Sequence, residues 1–190
     1  ETSVIQRLSD PDNTSVVKVA FRFYNFDVTP PADRALNTRN VKISGIKFKG
    51  TVESDGFMEQ KHLLLIQGGT DIEISNCWFE GWQGDAIVIR SGNNTVAAQN
   101  ENIRIFNNHF NGLDRNNRNA ITYNDCNALW IMLNKFVNCT RDGDPAYTSG
   151  AYDITDQSKG PPMPGAIDCE PNSADDFVVI KNINILYNYF

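Results

Sequence analysis

The sequence is poor in the features that mark several functional classes. It has two histidines, His62 and His109, and no third to complete a zinc site of the catalytic kind. No serine–histidine motif stands out either. Its four cysteines, Cys77, Cys126, Cys139 and Cys169, form no CxxC pair and no close metal-binding spacing. They read as free thiols, and Cys169, between two acidic neighbours, is expected to point into the core. Asp142 and Asp144 lie two apart beside a glycine but lack the later acidic ligand of a helix–loop–helix calcium site, so that stretch reads as a turn. Neither a metal nor a cofactor is expected. No apolar run approaches the ~18 residues of a membrane span, and ETSVIQRLSD is not organised as a signal peptide. Seventeen lysines and arginines face 23 acidic residues, for a net charge of −6. With no basic run, that balance argues against nucleic acid as a partner. Helical periodicity is convincing nowhere.

What is present is a repeat. VKISGIKF ends at Phe48, IEISNCWF at Phe79, IRIFNNHF at Phe110, LWIMLNKF at Phe136 and INILYNYF at Phe190. The first three phenylalanines are 31 residues apart, and the next gaps are 26 and 54. Seven positions before each stand Val41, Ile72, Ile103, Leu129 and Ile183; five before stand Ile43, Ile74, Ile105, Ile131 and Ile185. That alternation predicts a strand with one buried face. The period of two fails just before the phenylalanine, so the chain must turn a corner. Asn76, Asn107, Asn108, Asn134 and Asn188 occupy that corner, where asparagine tolerates left-handed backbone. A second strand follows in HLLLI, DAIVIR, NAITYN and GAIDCE. Stacked coils of this kind bury a continuous apolar column.

The phrases NVKISGIKF, ENIRIFNNHF and NAITYNDCNALWIMLNKF resemble the right-handed parallel β-helices of the pectate-lyase superfamily. The resemblance implies an all-β solenoid over residues 40–190, with a long loop insertion at 141–165. Residues 1–39 read as a leading coil and its lead-in loop, and the solenoid as incomplete at its C-terminal end. The fold hosts hydrolases, lyases, epimerases and adhesins, so chemistry must come from the site.

Aligning the second strands on Leu64, Ile87, Ile121 and Ile167 predicts two solvent-facing columns. One holds Leu65, Val88, Thr122 and Asp168; the other holds Gln67, Arg90, Asn124 and Glu170. Asp168 and Glu170 then share a strand face with Cα atoms about 6.6 Å apart. That spacing suits the paired carboxylates of glycoside hydrolysis. The loop before this strand adds to the case: 30 residues separate Phe136 from Ile167, whereas ten separate Phe110 from Ile121. Its Tyr147 and Tyr152 offer faces on which a sugar ring can stack.

GAIDCEPN also resembles the Gly-Ile-Asp-x-Glu-Pro signature of β-helical phage tailspikes and related polysaccharide-degrading proteins, although here alanine follows the glycine. The resemblance implies a homotrimer at a virion surface or in an extracellular setting, acting on polysaccharide. In that reading Asp168 and Glu170 are the catalytic pair, and Arg90, Thr122 and Asn124 position sugar groups. Two alternatives stand beside it. A lyase would use Arg90 or Lys159 to neutralise a uronate, with Tyr123 a poor base because it faces inward. An adhesive or structural β-helix would bind glycans without cleaving them. Trp78 and Trp130 are expected outside, against sugar or a neighbouring subunit.

Overall fold

The apolar columns fold as parallel strands, three to each turn of the chain. The structure is a computed structural model and describes residues 3–6, 18–23, 37–55, 61–91, 95–113, 117–139, 165–171 and 178–190. The first coil comprises β1 (Ser3–Gln6), β2 (Lys18–Phe23) and β3 (Thr38–Ser44). The second comprises β4 (Ile46–Lys49), β5 (Lys61–Ile66) and β6 (Gly69–Ser75), with one helical turn, α1 (Val52–Asp55), after β4. The third runs through β7 (Trp78–Glu80), β8 (Ile87–Ile89) and β9 (Glu101–Phe106), and the fourth through β10 (His109–Asn111), β11 (Ile121–Tyr123) and β12 (Cys126–Met132). The fifth is β13 (Lys135–Val137), β14 (Ile167–Cys169) and β15 (Ile180–Leu186). Like strands pair in parallel, giving three five-stranded sheets: β1-β4-β7-β10-β13, β2-β5-β8-β11-β14 and β3-β6-β9-β12-β15. This all-β stack is compatible with a parallel β-helix. Among the described residues no helix is long and apolar enough to cross a membrane.

Register follows the columns of the repeat. Ile72, Ile103, Leu129 and Ile183 pair in line in the third sheet, as do Ile74, Ile105, Ile131 and Ile185. In the first sheet the phenylalanine rings stack face to face. Their centroids are 4.8 Å apart for Phe48–Phe79 and for Phe79–Phe110, then 4.9 Å to Phe136 and 5.1 Å to Phe190. That is close to the strand spacing itself, so ring stacking and backbone pairing demand the same rise.

The corner between the third and first sheets resolves into two columns that the sequence shows only as a cluster of asparagines. Gly45, Asn76, Asn107, Leu133 and Tyr187 hold positive φ and reverse the chain. The next position turns inward as Cys77, Asn108, Asn134 and Asn188. There each asparagine carbonyl accepts the backbone N–H of the coil before: Cys77 to Asn108 at 2.9 Å, Asn108 to Asn134 and Asn134 to Asn188 at 3.0 Å. Each amide group donates in turn to a main-chain carbonyl, Ile74, Ile105 or Ile131, at 2.9 Å. The ladder thereby satisfies backbone groups that a buried corner would otherwise orphan.

A second left-handed column, Asn40, Asp71, Asn102, Ala128 and Asn182, interrupts every strand of the third sheet one residue before its first apolar position. Sequence alternation gives no hint of it, because the interruption recurs in every coil and leaves the inward columns aligned.

Two expectations need correction. The columns of the second strand do not face solvent: Leu65, Val88 and Thr122 are buried, and so are Gln67 and Asn124. Strands β5, β8 and β11 of the second sheet are buried on both faces, and the runs Leu63–Ile66 and Ala86–Ile89, which barely alternate, are what such strands require. Cys169 pairs with the buried Tyr123 but is itself exposed. Ile185 and Phe190 are exposed as well. All four cysteines are free thiols, as expected.

Two substitutions separate the corner columns. Asn134→Ala orphans the Asn108 N–H and the Ile105 carbonyl, and should cost about 2–4 kcal/mol in urea unfolding. Leu133→Asn should instead stabilise by about 1 kcal/mol, since Leu133 is 57% exposed and holds φ of 58°. A Leu133→Asn protein less stable than the parent would refute the assignment of strain to this column.

Candidate active site

Asp168 lies on β14 and Glu170 just after it, and among the described residues β14 pairs only with β11. Asp168 continues the column of Leu65, Val88 and Thr122. The Glu170 N–H donates to the Tyr123 carbonyl at 3.0 Å and keeps that residue in register with Asn124. Both carboxylates are half-buried, the Glu170 side chain 41% exposed. One coil earlier the same columns are closed.

Each carboxylate is held by a different residue of the preceding coil. The Asn119 amide donates to Asp168 Oδ2 at 3.1 Å and to the Thr122 hydroxyl at 3.3 Å. The Arg118 guanidinium reaches Glu170 Oε1 through Nη2 at 2.8 Å, and Asp85 Oδ2 through Nη1 at 3.3 Å. Asp168, Asn119 and Thr122 therefore form one polar chain, and Asp85, Arg118 and Glu170 a second beside it, with the Thr122 hydroxyl favouring the Asp85 anion. Arg118 is fixed from its backbone: its carbonyl accepts from Trp82 Nε1 at 3.2 Å, and its N–H donates to Gly84 at 3.1 Å.

Asp85 is the electrostatic centre. It is 1% exposed, and burial pushes its carboxyl up to about 7, with Glu170 adding to the rise and Arg118 opposing it. Its Oδ1 has no hydrogen-bond partner. His62 Nδ1 lies 3.4 Å from Oδ2, yet the same nitrogen accepts the Asp85 backbone N–H at 3.0 Å.

The other expected site residues are dispersed. Thr122 is 1% exposed and serves the polar chain rather than the surface. The Asn124 amide donates to the Glu170 main-chain carbonyl at 2.6 Å, tying the strand end down. Arg90 is half-buried one coil further away, and the guanidinium that meets Glu170 belongs to Arg118 instead. Tyr123 is buried in the core, which pushes its phenol far up and excludes it as a base. Tyr147, Tyr152, Lys159 and the loop around them lie outside the described residues. Sequence reading missed Asp85, Arg118, Asn119 and His62. Counting two and three positions back from Leu64, Ile87 and Ile121 brings His62, Asp85 and Asn119 into one column and Arg118 beside it, so the signal was available.

Trp78 is exposed on the first sheet, and Trp130 is half-buried. Both faces of the Trp78 ring are engaged: His109 stacks at 4.1 Å, and Lys47 Nζ lies 5.6 Å from the ring centroid. The groove of about 420 Å³ beside them, lined also by Asn76, Asn107 and Lys135, includes neither Asp168 nor Glu170. It offers a ring edge rather than a stacking face. Among the described residues no group of three histidines, cysteines or acidic residues is placed to hold a metal ion. No family model, no curated protein and no solved structure matches the chain.

The Asp85 shift makes a prediction with a definite sign. Its folded-state value lies above its ordinary value of 3.8, so between about 4 and about 7 the folded protein binds the extra proton. Stability should therefore fall as pH rises through that window and level off above it. Asp85→Asn, measured by urea unfolding at several pH values, should show a shallower decline than the parent.

Proposed function

We propose that this protein is a polysaccharide-degrading β-helix, right-handed and of the pectate-lyase type, which cleaves glycosidic bonds with Asp168 and Glu170. The observation that carries the reading is the paired support of these carboxylates. Each is gripped from the neighbouring coil by a partner of different charge, the neutral Asn119 amide and the cationic Arg118 guanidinium, while both keep access to solvent. Unequal partners give two like carboxylates different surroundings, and so different parts in the reaction. Asp168, on the neutral amide, gives its proton to the leaving glycosidic oxygen. Glu170, whose negative charge Arg118 stabilises, activates water or attacks the anomeric carbon as the carbon–oxygen bond breaks. The GAIDCEPN resemblance supports the substrate class, and with it a trimeric assembly in an extracellular or virion-surface setting.

The lyase alternative needs a cation to neutralise a uronate, and the arginine at this site is already shared between two carboxylates. The non-catalytic reading has a specific observation behind it. The Arg118–Glu170 pair and the Asn124 bond to the Glu170 carbonyl also knit β14 to the coil below.

Incubation with a panel of capsular and plant polysaccharides separates the three. Release of reducing ends without ultraviolet-absorbing unsaturated products, reduced about 10²–10⁴-fold by Asp168→Asn or Glu170→Gln, is the expected result. Unsaturated products would make the protein a lyase. Cleavage that survives both substitutions would make the pair scaffold.

A further inference from the structure

The cleavage reading assigns no role to Asp85, the most buried acid of the two polar chains. Its surroundings are closed on every side. From β5 it faces His62, whose Nδ1 accepts its backbone N–H at 3.0 Å and lies 3.4 Å from its Oδ2. From the segment before β11 come Arg118 at 3.3 Å and the dipole of the Asn119 N–H. From β11 comes the Thr122 hydroxyl, and from the end of β14 the charge of Glu170. Asp168 meets Asn119, whose amide also donates to Thr122. Lys61, next to His62, is buried as well. Arg118 is thus the cation that Asp85 shares with Glu170, and it sets a separate nitrogen on each carboxylate.

We propose that Asp85 is a positioning residue that sets the pH range of this site, by competing with Glu170 for the Arg118 guanidinium. The inference rests on the cleavage reading for its consequence, but the competition itself is a property of the fold. When Asp85 is protonated, the Nη1 contact of Arg118 loses its anion, and Glu170 no longer competes with Asp85 for the guanidinium charge. When Asp85 is ionised, the same charge is divided between two carboxylates, and Glu170 is held less firmly. The charge change takes place near neutrality, since the buried carboxyl titrates at about 7. Glu170 is the only member of the trio with a substantially exposed side chain, so it is the group free to move when its hold weakens. Asp85 acts through Arg118 and need not touch substrate.

Two readouts test this separately. The first is the Asp85 carboxyl titration, followed by carbon-13 NMR in the intact chain, in the parent and in Glu170→Gln and Arg118→Lys. Glu170→Gln should lower the Asp85 midpoint, because a repelling charge is gone. Arg118→Lys should raise it, because a single ammonium cannot reach both carboxylates with separate nitrogens. The second is kcat/KM for polysaccharide cleavage against pH. In the parent it should fall on the order of tenfold as pH rises through the Asp85 midpoint, and Asp85→Asn should remove that limb while leaving the low-pH rate in place. An Asp85 midpoint unmoved by Glu170→Gln overturns the proposal, whatever the activity. So does a parent limb that persists in Asp85→Asn. A chain that cleaves nothing, but whose Asp85 midpoint still answers to Glu170, would overturn the cleavage reading and uphold the competition for Arg118. Asn and Gln preserve the shapes of the residues they replace, and thermal unfolding of each variant confirms that the fold persists.

Discussion

The carbonyl of the Asn134 side chain accepts the Asn108 N–H at 3.0 Å, while its amide donates to the Ile105 carbonyl at 2.9 Å. In those bonds one side chain completes the corner of one coil and fixes the height of the next. Strand pairing and phenylalanine stacking obey the same rise, with ring centroids 4.8–5.1 Å apart. A coil that met one of these demands and missed another would orphan buried backbone groups at about 1–3 kcal/mol each. The vertical repeat is therefore a constraint on every residue at once. Whatever a residue does, it does to the residue directly above or below it.

The candidate site is made of such vertical contacts. Arg118 and Glu170 are 52 residues apart in sequence, Asn119 and Asp168 are 49 apart, and each pair meets because it belongs to successive coils. The burial of β5, β8 and β11 on both faces then supplies the electrostatics. A carboxylate in mid-column, where Thr122 stands, would be desolvated on all sides, and Asp85 shows the result in a carboxyl pushed up to about 7. At β14 the desolvation is partial. Two acids can remain there, provided that the coil below offers donors. The sequence sets polar Arg118, Asn119 and Thr122 beneath the two acids, and the apolar Val88 one coil further down.

How much of this is legible in the sequence follows from the same geometry. The inward columns are plain, because Ile72–Ile103–Leu129 and Phe79–Phe110–Phe136 repeat residue types that only stacking would align. The second sheet misleads because GAIDCE alternates as a half-exposed strand should, and its pattern does not carry back onto KHLLLI, which does not alternate. The left-handed column at Asn40, Asp71, Asn102, Ala128 and Asn182 leaves no trace in hydrophobicity, since a residue added to every coil preserves every alignment. Arg90 displaces Arg118 in a sequence alignment for a related reason. Arg90 shares a sequence column with Glu170, whereas Arg118 enters from three positions before its own strand and is aimed by the Trp82 and Gly84 contacts on its backbone.

Which arginine meets Glu170 decides the chemistry. Arg90, in the same column two coils away, is half-buried in a column that does not face solvent. An arginine one coil away, forked between Asp85 and Glu170, has its charge committed to the protein. Its contacts fall on Asp85 and Glu170, while Asp168 meets the neutral Asn119 amide. The asymmetry comes from residues lying two and three positions ahead of each strand, where the chain has finished one coil and has yet to enter the next sheet. In a solenoid whose strand positions are fixed by stacking, those approaches to the strands are where side chains remain free to vary, and so where a shared scaffold can acquire a particular chemistry.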